Sequence, residues 1–199
     1  MKLLVASKNK KKIAELRRIL SPLGYEPVCE TDIGIKLPEV EETGTTFLDN
    51  ALLKAQSAMK HSGMAAVADD SGLCVDALKG APGVYSARYS GENANDVSNN
   101  MKLLHELEGV DDEHRTAHFL SVVAVVFPNG DIISANGQVD GVILHEPCGQ
   151  GGFGYDPLFA VDGVAFGEMS AEQKDKISHR GRALNNLKEK LEVYINADK

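Results

Sequence analysis

Near the N-terminus the chain reads Lys2-Leu3-Leu4-Val5-Ala6-Ser7-Lys8-Asn9-Lys10-Lys11-Lys12. Lys2 to Ala6, apolar from Leu3 on, reads as a short buried strand. Polarity changes abruptly at Ser7. Ser7 or Asn9 can cap a helix, and Ile13, Leu16, Ile19 and Leu20 then mark one apolar helical face. Gly24 ends that helix, and Tyr25 to Glu30 predicts a second strand. Strand, helix, strand is the opening of a βαβ unit, so the chain is expected to be α/β.

Beyond this unit, residues 31–44 are expected to form an acidic loop containing Pro38 and Gly44. Thr45 or Thr46 caps a second helix, with Phe47, Leu48, Ala51, Leu52, Ala55 and Met59 as its apolar positions and Gly63 as its end. Ala65 to Ala68 predicts a short strand running into Asp69-Asp70-Ser71-Gly72, and Leu73 to Ala77 another. Gly80-Ala81-Pro82-Gly83 signals a loop. A third helix is expected over Asn95 to Leu107. His118 to Phe127 reads as a central strand, and Pro128-Asn129-Gly130-Asp131 as a hairpin turn. Ile132 to Ala135 and Gln138 to Leu144 continue the sheet. A glycine-rich aromatic loop, Gly149 to Pro157, leads to a strand over Leu158 to Val161. Residues 171–177 give a turn or two of helix, and Arg182 to Ile195 a terminal one. No repeat, low-complexity segment or linker interrupts the 199 residues, which are expected to form a single domain with a mixed sheet.

Composition narrows the function. Hydrophobic residues make up 43% and charged residues 25%, which suits a soluble globular chain with a sizeable core. No apolar run is long enough to cross a bilayer, and the N-terminal one is too short for a signal-peptide core, so a cytoplasmic protein is expected. Cys29, Cys74 and Cys148 lack zinc-site spacing and read as structural thiols. The net charge of −8 disfavours nucleic acid and anionic membranes as partners. That charge is uneven. Residues 8–18 carry six cations against Glu15, whereas residues 26–50 carry seven acids against Lys36. A small basic pocket in an acidic protein fits a compact anion better than a long polyanion.

No P-loop, HExxH, EF-hand loop or GxSxG elbow is present. Gly149 to Gly154 satisfies GxGxxG. It lies late in the chain, and Tyr155-Asp156-Pro157 after it does not open a helix readily, so it is not a dinucleotide fingerprint. Four other clusters remain. Ser7 to Lys12 joins a strand to a helix, where backbone N–H groups and the helix dipole favour phosphate; three lysines in that first turn oppose the dipole and call for an anion. Asp69-Asp70 at a strand end can hold a hard divalent cation, with one of the two facing the site. Glu39-Val40-Glu41-Glu42 can add a second carboxylate, and Asn50 and Lys54 share a helix face beside it. Lys174 to Arg182 is basic, with His179 inside it, and Arg180 can grip phosphate or a purine carbonyl. The loop Phe153-Gly154-Tyr155-Asp156 can stack a base, because glycine lets a ligand approach the backbone closely.

In this order the segments resemble the inosine triphosphate pyrophosphatase family, also called the XTP/dITP diphosphatase or deaminated-purine nucleoside triphosphate pyrophosphatase family. The resemblance is carried by Ser7-x-Asn9-x-x-Lys12-x-x-Glu15, Glu41-Glu42-Thr43-Gly44-x-Thr46-Phe47 and Asn50-Ala51-x-x-Lys54-Ala55. It continues through Ala68 to Leu73, Gly80-Ala81-Pro82-Gly83-x-Tyr85-Ser86-Ala87-Arg88, Gly151 to Pro157 and Ser178-His179-Arg180-Gly181. It implies an elongated mixed β-sheet flanked by helices, in two lobes with the site in a central cleft. It also implies a Mg²⁺-dependent enzyme, usually a homodimer, that cleaves ITP, dITP and XTP to the monophosphate and pyrophosphate and so cleans the nucleotide pool.

By the same resemblance, Ser7, Lys8, Asn9, Lys10, Lys11 and Lys12 form the triphosphate loop. Glu41 and Asp70 hold Mg²⁺, with Asp70 the catalytic base. Ser71 and Lys174 contact the nucleotide, Phe153, Gly154, Tyr155 and Asp156 line the base and ribose pocket, and His179 and Arg180 read the base edge. Water attacking the α-phosphorus would use Asp70, while Lys12, Asn50 and Lys54 stabilise the transition state. A pyrophosphatase for another modified nucleotide and a non-catalytic nucleotide sensor are the alternatives; a sensor would be expected to lack a metal carboxylate, and Glu41, Asp69 and Asp70 are all present.

Overall fold

A computed structural model describes residues 1–197. Strand β1 (Lys2–Val5) is followed by α1 (Lys10–Leu20), β2 (Glu26–Val28), α2 (Phe47–Ser62), β3 (Ala66–Val75) and α3 (Asp96–Glu106). Then come β4 (Thr116–Val126), β5 (Ile132–Ile143), β6 (Phe159–Val161), β7 (Val164–Ala165), α4 (Ala171–Ile177) and α5 (His179–Ala197). The seven strands form one mixed sheet in the order β2-β1-β3-β4-β5-β6-β7. Leu4 of β1 stands opposite Val28 in parallel β2 and Ala66 in parallel β3, while β6 pairs antiparallel with β5 and β7.

The helix starts are local chemistry. Asn9 caps α1 by accepting from the Lys11 and Lys12 N–H groups. Thr46 and Asp49 form a reciprocal capping box on α2, and Asn95 and Ser98 one on α3. Gly63 closes α2 in the left-handed region, which glycine enters without a Cβ penalty.

Two strands are longer than their composition predicts. The Asp69-Asp70-Ser71-Gly72 stretch does not break the strand but lies within a ten-residue β3, because both carboxylates find buried partners there. Likewise β5 runs without interruption through Asn136-Gly137, where buried Ala135, Gly137 and Val139 alternate with exposed Asn136, Gln138 and Asp140. The terminal helix begins at His179, ahead of the expected Arg182. All three cysteines are free.

The chain divides into two compact units. One contains Met1–Asp70, Ser121–Gly137 and the segment from Arg180 on; the other contains Ser71–Leu120 and Gln138–His179. In the first unit the strand period of two supplies two cores. Leu3, Val5, Val67, Val123 and Val125 pack with Leu16 and Leu20 of α1 and Leu184, Leu187 and Leu191 of α5. Leu4, Val28, Ala66, Ala68 and Val126 pack with Ala55 and Ala58 of α2. Each fully buried Leu or Val contributes roughly 1.5–3 kcal/mol. The second unit buries Leu73, Val75, Leu103, Leu107 and Ile143 around an aromatic group in which Phe159 meets Phe119 and Phe166 edge-on, at centroid distances of 4.7 and 5.1 Å.

Candidate active site

Within the first unit, β3 delivers two adjacent carboxylates. Successive strand residues point to opposite faces, so Asp69 and Asp70 meet different neighbours. Asp69 is 2% exposed. Its Oδ2 accepts from Arg180 Nε at 3.1 Å and Nη2 at 3.0 Å, and lies 3.2 Å from Lys12 Nζ. Arg180, also 2% exposed, pairs in addition with Glu15. Burial alone pushes the Asp69 carboxyl up, but the Lys12, Arg180 and Lys54 cations outweigh it and hold the group well below the usual carboxylate range. Asp69 is therefore a fixed anion.

Asp70 is different. Its Oδ1 accepts from Lys54 Nζ at 3.1 Å and its Oδ2 from Asn50 Nδ2 at 3.2 Å. Burial raises its pKa, Lys54 and Lys12 lower it, and Glu42 raises it again; the net shift is upward. An upward-shifted carboxylate is a better proton acceptor than an ordinary one.

Helix α2 and the loop before it organise the Asp70 side. Asn50 is 0% exposed, and its amide works at both ends: Oδ1 accepts from the Gly44 N–H at 2.8 Å while Nδ2 donates to Asp70. Gly44 is needed for space, since a Cβ there would stand 2.6 Å from Asn50 Oδ1. Lys54 Nζ donates to Glu42 Oε1 at 2.7 Å as well as to Asp70. Glu41, next in sequence to Glu42, is exposed. On the α1 side, Ser7 Oγ accepts from the Asn9 N–H at 3.2 Å, so both polar side chains of this loop fix its backbone. Lys8 donates to Glu39 on the acidic loop at 2.7 Å, and Lys10 and Lys11 are exposed.

In the second unit the aromatic loop is tied internally. Asp156 Oδ2 accepts from the Phe153 N–H and from Lys174 Nζ, both at 2.7 Å, and Lys174 Nζ lies 4.8 Å from the Phe153 ring centroid. Lys174 and Asp156 are both buried. Gly152 leaves room for this carboxylate, because a Cβ there would lie 2.0 Å from Asp156 Oδ2. Tyr155 is a core residue whose hydroxyl donates to the Ser86 carbonyl at 2.8 Å. His179 is buried and stacks on Phe119 at 4.6 Å. Ser71 is half-buried.

The first unit thus gathers Lys12, Asn50, Lys54 and Asp70 from the expected set, and the second gathers Phe153, Asp156 and Lys174. Arg180 is engaged with Asp69 and Glu15. Sequence reasoning gave no role to Glu15, and placed Glu42 only within an acidic loop that could add a second carboxylate. A lone acid among six cations, one turn from Lys12 on α1, was the available signal for Glu15.

Among the described residues no three His, Cys, Asp or Glu side chains cluster as a ready-made metal site. Carboxylate oxygen is nonetheless at hand on Asp70 and on Glu42, which shares Lys54 with it. Magnesium suits that chemistry, because it takes one or two carboxylates and completes its shell with water and substrate phosphate.

A model of the Ham1 family matches residues 3–190. A dITP/XTP pyrophosphatase of Desulforamulus reducens is 52% identical over 201 residues, covering 100% of both chains. A dITP/XTP pyrophosphatase of Haemophilus influenzae is 49% identical, covering 96% of this chain and 98% of its own. Among solved structures, a HAM1 protein from Coxiella burnetii superposes with a TM-score of 0.85 at 41% identity, covering 96% of this chain and 98% of that one.

Proposed function

The chain belongs to the Ham1 family, and from that premise we propose that it hydrolyses the deaminated purine triphosphates dITP, XTP and ITP to the monophosphate and pyrophosphate. The observation that carries this reading is the pair of adjacent carboxylates with opposite character. Asp69 is locked as an anion by Lys12 and Arg180, and Asp70 is raised and held by Asn50 and Lys54. A buried base flanked by cations is the apparatus for activating water against a phosphate.

Asp70 orients the attacking water and takes its proton. Lys12 and Lys54 stabilise charge on the pentavalent phosphorus and the departing pyrophosphate, and Asn50 keeps the Asp70 carboxylate aimed. The α1 start, from Ser7 to Lys12, receives the triphosphate. Glu41 and Asp70 would hold Mg²⁺, which supplies charge neutralisation on phosphate oxygens.

Phe153 to Asp156 and Lys174 take the nucleoside, with Ser71 contacting the nucleotide. His179 is assigned the base edge. A donor matched to the 6-carbonyl of hypoxanthine or xanthine is left unpaired by adenine, at a cost of about 1–3 kcal/mol. Arg180 acts beside it as the clamp on Asp69. Both compact units belong to one pyrophosphatase domain, active as a cytoplasmic homodimer. The net charge of −8 supports a small nucleotide, rather than nucleic acid, as ligand. Among the described residues no helix is long and apolar enough to cross a membrane.

The test is product analysis with ITP, XTP, ATP and GTP, with and without Mg²⁺, on wild type and Asp70→Asn. Pyrophosphate and IMP or XMP are expected, with little ATP or GTP turnover. In the folded Asp70→Asn protein the rate should fall about 10²- to 10⁴-fold. Orthophosphate as first product would move the attack to the terminal phosphate and overturn the reading, as would full activity in Asp70→Asn.

A further inference from the structure

Gly154 sits between Phe153 and the anchored Tyr155, with φ of +63° and open space where a Cβ would point. Glycine in this region is the natural place for a loop to swing. Here the backbone on both sides of the glycine is gripped by one helix. The Gly154 N–H donates to Asp96 Oδ2 at 2.8 Å, and the Gly154 carbonyl accepts from Asn100 Nδ2 at 3.0 Å. Asp96 and Asn100 lie four residues apart on α3, hence on one face. Between them, Asn99 Nδ2 donates to the carbonyls of Ser86 and Ala87, each at 3.2 Å. The Ser86 carbonyl also receives the Tyr155 hydroxyl, so α3 holds the far side of the loop as well.

Asn100 carries a further mark. Its Oδ1 is buried and meets no hydrogen-bond donor among the described residues. A buried acceptor left unmatched is costly, and native structures keep few of them. The donor half of the Asn100 amide is the half that meets Gly154.

We propose that Asp96 and Asn100 are positioning residues that clamp Gly154 and thereby hold the Phe153 ring in place for the nucleoside. This rests on the assignment of the Phe153 loop to the nucleoside made above. Neither residue needs to touch substrate. Asp96 contributes as a hydrogen-bond acceptor, not as a charge, and Asn100 as a donor.

Steady-state kinetics with ITP on Asp96→Ala, Asp96→Asn and Asn100→Asp, with Phe153→Ala as the reference, test the clamp. Losing one hydrogen bond to the loop should raise KM about three- to tenfold in Asp96→Ala and Asn100→Asp, with kcat within about twofold. Asp96→Asn keeps an acceptor for the Gly154 N–H and should stay within about twofold of wild type in both constants. Amide exchange at Gly154, followed without substrate, should quicken in Asp96→Ala and not in Asp96→Asn. Asp96 is exposed, so its variants leave the core untouched.

If Phe153→Ala raises KM while Asp96→Ala and Asn100→Asp do not, the clamp is refuted and the loop assignment stands. If Phe153→Ala also leaves KM unchanged, the loop assignment falls and takes the clamp with it. A loss in Asp96→Asn equal to that in Asp96→Ala would make the effect one of charge and likewise refute the clamp.

Discussion

Asp69 and Asp70 are separated by a single peptide, yet proton linkage acts on them in opposite directions. Asp69 has a folded-state pKa below its unfolded value of about 3.9, so its ion pairs stabilise the fold above that pH and are lost as pH falls toward the folded value. Asp70 is raised, so its ionisation opposes folding, and stability from this group declines as pH rises through its folded pKa. Removing the Asp69 charge leaves the Arg180 guanidinium and Lys12 short of their shared partner inside the protein. Breaking one side of a buried pair costs about 3–5 kcal/mol. Asp69→Asn is therefore expected to lower the melting temperature at pH 7 by roughly 10 °C. The deficit should shrink below pH 4, where wild type begins to lose the same interaction. Thermal unfolding of both proteins from pH 3 to pH 7 checks this, and a pH-independent deficit would refute the charge argument.

At the scale of elements, the strand that carries Asp70 depends on the loop before α2. Gly44 precedes α2, and its N–H binds the Asn50 oxygen, which leaves the Asn50 amino group for Asp70. A methyl at position 44 would stand 2.6 Å from both Asn50 Oδ1 and Asp49 Cβ, so the loop or the first turn of α2 must move. Gly44→Ala should cut kcat about tenfold or more, since misplacing a catalytic group by about 1 Å carries that scale of loss. Far-UV circular dichroism should be unchanged, because the Thr46–Asp49 box still starts the helix. An unchanged kcat would show that Asn50 does not need the loop. The same elements explain what was legible beforehand. Helix starts were readable to within a residue or two, as Ser7 or Asn9, Thr45 or Thr46, and Asn95, because a cap is a contact within a few residues; the structure selects Asn9, Thr46 and Asn95. The continuity of β3 was not, because Asp-Asp-Ser-Gly has the composition of a turn. The groups that keep it a strand lie far from it in the numbering: Lys12 is 57 and Arg180 111 residues from Asp69, and Lys54 is 16 residues from Asp70. Arg180 shows the limit most clearly: its residue type announced an anion, and only the fold assigns that anion as Asp69 and Glu15.

Over the whole molecule, a chain of net charge −8 has to attract a polyanionic substrate. The charge is divided in space as well as in sequence: the lysines that face inward, Lys12 and Lys54, are already paired with carboxylates. Lys10 and Lys11 are exposed at the start of α1, where the helix dipole adds to their field. Their exposure places these two where an incoming triphosphate meets them before it reaches the buried groups. The screening length is about 8 Å at physiological ionic strength, so nearby lysines outweigh distant acids there, and at low salt both are felt. Lys10→Gln with Lys11→Gln should lower kcat/KM about three- to tenfold at low salt while leaving kcat unchanged, as expected for encounter rather than chemistry. Raising salt to about 0.5 M should close most of the gap, since screening then removes from wild type what the substitutions removed from the variant. A gap that persists at high salt would mean that one of these lysines binds phosphate directly, and a fall in kcat would place it at the reacting centre.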